Sequence, residues 1–142
     1  MNNSISKEMI SKLIAKAKAA REFAYTPYSN FKVGAALLTD DGDIYTGCNI
    51  ENAAYSPGNC AERTAVFKAV SEGKTKFSAI AIIAGKESIK DYTSPCGMCR
   101  QVLREFVNPE CFYVIMARTE DDYKIMTLEE LLPLSFGPAN LE

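Results

Sequence analysis

Apolar positions along the chain change between helical and strand spacing, and these changes predict the first elements. Residues 6–23 carry apolar side chains at helical spacing with lysines between them, which predicts an amphipathic helix. Two shorter runs, 31–39 and 44–50, are joined by a turn rich in Asp and Gly and predict a hairpin. Nearly continuous apolar runs at 77–84 and 111–117 predict strands buried on both faces.

Start and stop signals predict the remaining elements. One helix is predicted from Cys60 to a stop at Gly73, and another from Cys96 to the residue before Pro109. Residues 123–126 form a further strand, and 127–130 have the pattern of a capping box for a short last helix. The order α-β-β-α-β-α-β-β-α predicts an α/β fold, a three-layer α-β-α arrangement with a five-stranded mixed sheet.

Length and composition agree with one globular domain spanning residues 1–142. The net charge of −2 provides no basic surface of the kind that binds phosphate backbones, so we expect no nucleic-acid partner. The N-terminus lacks the apolar run of a signal peptide, and no stretch reaches the length of a membrane span. We therefore expect a cytoplasmic protein with no membrane partner.

The chain contains no histidine. Serine-histidine and cysteine-histidine catalysis are therefore excluded, and a metal site must use sulfur or oxygen ligands. Five cysteines are present, and in a reducing compartment clustered thiols point to metal binding or catalysis more than to disulfides.

Three of the cysteines form a zinc-binding pattern. The segment Cys60-Ala61-Glu62-Arg63 and the later segment Ser94-Pro95-Cys96-Gly97-Met98-Cys99-Arg100 match the arrangement C-x-E followed by P-C-x-x-C of zinc deaminases. Cys96 and Cys99 are three residues apart at a helix start, and Cys60 starts another helix, so all three thiols can grip one Zn²⁺ near two helix N-termini. The missing fourth protein ligand leaves a position for water.

The residues beside these thiols have candidate roles. A carboxylate at Glu62 is placed to transfer protons, and no histidine is present to compete for that role. Three thiolates on Zn²⁺ carry a formal −1 charge, and Arg63, with Arg100 as a further candidate, can donate to the sulfurs and offset it. A structural zinc ribbon or a redox C-x-x-C is the alternative, although the former needs four ligands and the latter needs no third thiol. Cys48 and Cys111 are expected to be small buried hydrophobes.

The chain closely resembles the small cytidine deaminases that act on free nucleosides. The resemblance covers nearly the whole chain and is carried by the stretches 27–36, 47–53, 60–65, 94–102 and 131–138. It implies a cytidine deaminase-like fold, one Zn²⁺ per subunit, and hydrolysis of cytidine and 2'-deoxycytidine to the uridine forms and ammonia in pyrimidine salvage. In this family Glu62 would carry protons between water, ring N3 and the leaving group.

The resemblance also implies substrate contacts. Asn49 and Glu51 would bond the ribose, and their spacing of two places them on one side of a strand. Phe31 would lie beside the pyrimidine, and backbone groups of Ala61 and Ser94 would orient the base.

Self-association is a further implication of the resemblance. Tyr55 and Phe136 resemble residues that enter a neighbouring subunit's site in this family, which implies a homotetramer with shared pockets.

Three rival functions remain. A deaminase of a cytosine nucleoside antibiotic such as blasticidin S shares the thiol motifs, although the stretches 49–53 and 135–138 favour cytidine. A zinc-dependent module that edits or binds RNA or DNA conflicts with the acidic charge balance. A structural zinc domain would bind metal without turnover.

Overall fold

The structure is a computed structural model that describes residues 5–142. Its helices are α1 (Lys7–Arg21), α2 (Ala61–Ser71), α3 (Gly97–Phe106) and α4 (Leu128–Leu131), and a 3-10 turn covers Pro138–Leu141. Its strands are β1 (Lys32–Thr39), β2 (Ile44–Cys48), β3 (Phe77–Gly85), β4 (Tyr113–Ala117) and β5 (Tyr123–Thr127). The predicted order of helices and strands is confirmed.

The strands form one mixed sheet in the order β2-β1-β3-β4-β5. β3 and β4 are parallel, whereas the other three neighbouring pairs are antiparallel. The predicted five-stranded mixed sheet is therefore confirmed. None of the helices in residues 5–142 has the length and apolar composition needed to cross a membrane.

Two hydrophobic cores lie on opposite faces of the sheet, because side chains of a strand alternate between its faces. Ile80 and Ile82 of β3 pack into the core that also contains residues of α2, α3 and α4. Ala81 and Ile83 face the core that α1 covers. Helices thus cover both faces, and the predicted three-layer arrangement is confirmed.

The short α4 begins with the predicted capping box. Thr127 Oγ1 accepts a hydrogen bond from the backbone N–H of Glu130, and Glu130 Oε1 accepts one from the backbone N–H of Thr127. These two bonds satisfy backbone donors that a helix start otherwise leaves free.

The prediction for Cys111 is wrong. β4 begins at Tyr113, and Cys111 lies exposed in the turn that follows Pro109, where its N–H donates to Asn108 O at 3.0 Å. That turn keeps Cys111 out of the sheet. Cys48, the last residue of β2, is only partly buried.

Gly34 allows α1 to lie very close to β1. A Cβ at this position would come within 1.9 Å of Ala17 O and 2.7 Å of Arg21 N, both backbone atoms of the helix. We expect Gly34→Ala to lower the free energy of unfolding by about 1–3 kcal/mol, because helix and strand must separate. Urea unfolding in the presence of zinc measures this cost. Gly97→Ala is the control, because a Cβ there meets nothing within 4 Å, and equal stability of the two variants would contradict this interpretation.

Candidate active site

The starts of α2 and α3 meet at one end of the strands of the sheet. β2 and β3 run in the same direction because both are antiparallel to β1. The chain leaving β2 reaches α2 at Cys60, and the chain leaving β3 reaches α3 at Cys96. Crevices at the carboxyl ends of strands are the usual ligand sites of open α/β sheets.

Cys60 and Cys96 occupy the N-cap positions of α2 and α3, and neither side chain caps its helix. Ser, Thr, Asp or Asn would stabilise a helix at this position by accepting a backbone N–H bond. Both thiols instead point to a common centre, where the positive ends of two helix dipoles favour thiolates.

The three predicted ligand atoms are brought together. The Sγ atoms of Cys60, Cys96 and Cys99 lie within 4.8 Å of one another, and those of Cys60 and Cys96 are 3.8 Å apart. Tetrahedral coordination with Zn–S bonds of about 2.3 Å separates two sulfurs by about 3.8 Å. The donor set and its spacing therefore fit Zn²⁺.

Hydrogen bonds among the thiols set their protonation. The bond from the Cys99 thiol, followed by those from Arg63 and Cys96, lowers the pKa of Cys60 to about 5 against the opposing effect of burial. The same contact with Cys60, together with burial, raises the pKa of Cys99. The lowered pKa of Cys60 favours the thiolate form, which is the form that binds metal.

Arg63 lies against the cluster from α2. Its Nη2 donates to Cys60 Sγ at 3.3 Å, and its Nε is buried without a hydrogen-bond partner among the described residues. The guanidinium thus places a fixed positive charge beside a thiolate, in the position from which the sequence analysis expected it to act.

Glu62 lies in the first turn of α2, two residues after Cys60 and immediately before Arg63, and is only 5% exposed. Burial raises the pKa of Glu62 to about 7, and the negative charge of Cys60 acts in the same direction. The site therefore contains a carboxyl group that exchanges a proton near neutral pH, adjacent to the thiols that fit Zn²⁺.

A cleft of about 480 Å³ adjoins the Cys60 thiol. Four predicted site residues besides Cys60 line it: Asn49, Glu51, Tyr55 and Arg63. The cleft joins the polar pair that follows β2 to the helix start that carries the first thiol.

Asn49 and Glu51 hold the neighbouring loop as well as lining the cleft. Asn49 Oδ1 accepts from Val33 N at 2.9 Å, and its Nδ2 donates to Phe31 O at 2.8 Å. Glu51 Oε1 accepts from the backbone N–H groups of the Tyr28-Ser29 turn. Both side chains are thus fixed in direction before any ligand arrives.

Ser29 is a site residue that the sequence did not predict. Its hydroxyl donates to Glu51 Oε2 and accepts from Phe31 N at 3.0 Å, so it joins the carboxylate to the loop carrying Phe31. This bond is the first of those that lower the pKa of Glu51 and keep it ionised. A serine within a Pro-Tyr-Ser-Asn turn was the available signal, because serine hydroxyls commonly bond nearby backbone groups in turns.

The other residues predicted to contact the substrate do not all lie in this cleft. Phe31 is partly exposed and lines a neighbouring cleft of about 1030 Å³ rather than the one at the thiols. Tyr55 is 78% exposed at the cleft and packs edge to face with Tyr28. Phe136 is exposed and does not line the cleft at Cys60, whereas Ala61 is buried beside Cys60.

A mixed α/β sheet with three thiols and a buried carboxyl at two helix starts defines a zinc-binding deaminase. A model of the family described as "Cytidine and deoxycytidylate deaminase zinc-binding region" matches residues 7–115. The chain belongs to this cytidine and deoxycytidylate deaminase family.

Relatives agree in sequence and in structure. The cytidine deaminase of Sporosarcina psychrophila is 53% identical over 132 residues, which are 93% of this chain and 94% of that protein. That of Halalkalibacterium halodurans is 50% identical over 87% of this chain and 91% of its own. The crystal structure of cytidine deaminase from Burkholderia pseudomallei superposes with a TM-score of 0.79 at 47% identity, covering 88% of this chain and 97% of that one.

Proposed function

We propose that this protein hydrolyses cytidine and 2'-deoxycytidine to uridine and 2'-deoxyuridine with release of ammonia. The observation that carries the proposal is the buried Glu62 carboxyl beside three thiols spaced for Zn²⁺. One of these thiols, Cys60, lines a cleft together with Asn49 and Glu51. The relatives named cytidine deaminase favour this substrate over a cytosine nucleoside antibiotic.

The chemistry divides between the ion and the chain. Cys60, Cys96 and Cys99 would hold Zn²⁺, which would supply a Lewis acid that lowers the pKa of water. Glu62 accepts a proton from the attacking water and delivers it to ring N3 while the water oxygen bonds to C4. Glu62 then relays the second proton to the amino group, the C4–N bond breaks, and ammonia leaves. Arg63 offsets the excess negative charge of the thiolates through Cys60.

The remaining hydrogen-bond capacity of Asn49 and Glu51 supports a role in binding the sugar. Bonds to the loop leave Glu51 Oε2 able to accept once more and Asn49 Nδ2 able to donate once more. One acceptor and one donor match a single hydroxyl group. We infer that they bind a hydroxyl shared by ribose and 2'-deoxyribose, which accounts for both substrates.

The shared hydroxyl leads to a testable prediction. Glu51→Gln is expected to raise KM for cytidine and for 2'-deoxycytidine equally, by about 10- to 100-fold, because a bond to a charged group is lost. Asn52→Ala is the matched control, since Asn52 lines the same cleft and, among residues 5–142, its Oδ1 bonds only to the backbone of Ala54. Steady-state kinetics with both nucleosides decide the point, and a defect confined to cytidine would contradict the shared hydroxyl.

We further infer a homotetramer of single-domain subunits with shared pockets, acting in cytoplasmic pyrimidine salvage. Tyr55 and Phe136 support shared pockets, because both aromatic rings are exposed on the chain taken alone. All five cysteines are free thiols, as a reducing compartment favours. Light scattering coupled to size exclusion measures the number of subunits, and a monomer with full turnover would contradict shared pockets.

An absorbance assay of cytidine conversion with parallel zinc analysis tests the proposed function. Turnover with one zinc per chain supports it. Preferential turnover of blasticidin S would favour the antibiotic deaminase, zinc without turnover would indicate a structural domain, and salt-dependent binding to single-stranded oligonucleotides would favour an editing module.

A further inference from the structure

Arg100 makes three hydrogen bonds to oxygen atoms of two chain segments. Its Nε donates to Pro95 O at 2.6 Å, its Nη2 to Ser94 Oγ at 3.0 Å, and its Nη1 to Leu131 O at 2.5 Å. The first two acceptors lie immediately before the Cys96 ligand. The third is the carbonyl of Leu131, the last residue of α4. A single side chain of α3 thus joins the approach to the metal site to the C-terminal part of the chain.

The bond to Pro95 O restrains the backbone of Cys96. That carbonyl belongs to the planar peptide unit whose nitrogen is the backbone nitrogen of Cys96. The pyrrolidine ring already restricts φ of Pro95, and the residue is buried. With the carbonyl held as well, little backbone freedom remains ahead of the thiol, although Cys96 itself is exposed.

Arg100 and Arg63 contact the cluster in different ways. Arg63 donates directly to Cys60 Sγ, whereas the hydrogen bonds described for Arg100 all end on oxygen. Arginine suits such a role because its planar fork directs several N–H donors in fixed directions, which a lysine ammonium does not. The expectation that Arg100 donates to the sulfurs finds no support in these contacts.

We propose that Arg100 is a positioning residue that holds Ser94 and the Pro95–Cys96 peptide in place and so sets where the Cys96 thiolate meets the ion. It acts by geometry rather than by its charge. The inference rests on the proposed zinc-dependent function, but it concerns how firmly the chain holds the metal.

Arg104 provides a matched control one turn further along α3. Its Nε donates to Ser135 Oγ at 2.9 Å, and its guanidinium packs where a Cβ on Gly137 would lie. It therefore contacts the segment that follows α4, as Arg100 contacts the end of α4, but no hydrogen bond described for it reaches residues 94–96. A change at Arg104 reports the effect of loosening that segment alone.

The experiment compares Arg100→Gln, Arg100→Lys and Arg104→Gln in the full chain loaded with zinc. We measure the rate of zinc release to a chelating dye and, in Co²⁺-substituted protein, the thiolate charge-transfer absorption. Both Arg100 variants are expected to release zinc at least about 10-fold faster than the parent and to alter the absorption band. Arg104→Gln is expected to match the parent in both measurements, and thermal unfolding checks that each variant is folded.

Two results would overturn the proposal. Parental zinc release in Arg100→Lys would show that positive charge suffices. Equal release from Arg100→Gln and Arg104→Gln would show a general effect on folding rather than on Cys96. Should Arg100→Gln not fold, Arg100→Lys keeps the charge and still decides the point. Because neither measurement uses turnover, a failure here is distinguishable from failure of cytidine deamination, which the nucleoside assay of the parent protein reports.

Discussion

Replacing Glu62 by glutamine is expected to lower kcat for cytidine between about 10²- and 10⁴-fold, the usual contribution of a positioned general acid and base. Glutamine has nearly the same shape but cannot accept the proton of the attacking water or deliver it to ring N3. The side chain is buried beside Cys60 and is not one of the three thiols that fit the metal, so zinc content is expected to stay at one ion per chain. Steady-state kinetics and metal analysis on the same sample measure both quantities.

Glu72→Gln is the matched control for this prediction, because Glu72 lies at the opposite end of the same helix, where its carboxylate accepts a bond from Tyr45. It makes the same change of carboxyl to amide without touching the cleft, and its kcat should equal that of the parent. Near-parental turnover by a zinc-loaded Glu62→Gln protein would rule out the proton-transfer role.

Exchange of Cys99 for serine is expected to abolish both zinc binding and turnover. Cys99 is fully buried in the cluster, and a serine hydroxyl replaces a thiolate with a poor zinc ligand while keeping its size. Two remaining thiols do not complete a site that has only three protein ligands. Metal analysis after dialysis, followed by the cytidine assay, measures the loss.

Cys111→Ser is the control for Cys99→Ser, since Cys111 is an exposed thiol in a turn outside the cluster. It should keep zinc and activity. A chelator should remove activity from the parent protein and from this variant alike. If Cys99→Ser bound one zinc per chain and turned over cytidine normally, the assignment of the three ligands would be incorrect.

Periodicity and start signals predicted the order of elements because the spacing of apolar residues within each helix or strand reflects which of its faces are buried. β3 is a nearly continuous apolar run, and the structure buries nearly all of it between two layers. Cys60 and Cys96 were placed within one residue of their helix starts because Gly, Pro and the apolar positions bracket those helices. The cysteine spacing then sufficed to predict the metal cluster.

The sequence pattern could not predict hydrogen bonds between side chains and backbone carbonyls that are distant in the chain. Nothing in the motif distinguishes a guanidinium that reaches sulfur, as that of Arg63 does, from one that reaches Pro95 O and Leu131 O, as that of Arg100 does. The error at Cys111 has a similar origin. An apolar run continues through residues 111–117, but the turn after Pro109 delays the start of β4.

The two uncapped helix starts carry a consequence for stability engineering. Cys60 and Cys96 occupy the positions where serine or aspartate would accept a backbone N–H bond and stabilise α2 and α3. Replacing both cysteines by residues that are preferred at N-cap positions would stabilise the isolated helices but would remove two metal ligands. An ion that bridges both starts links the two helices in a way that local capping does not, and such binding stabilises the folded state by mass action. Zinc therefore serves this fold as a cross-link as well as a reagent.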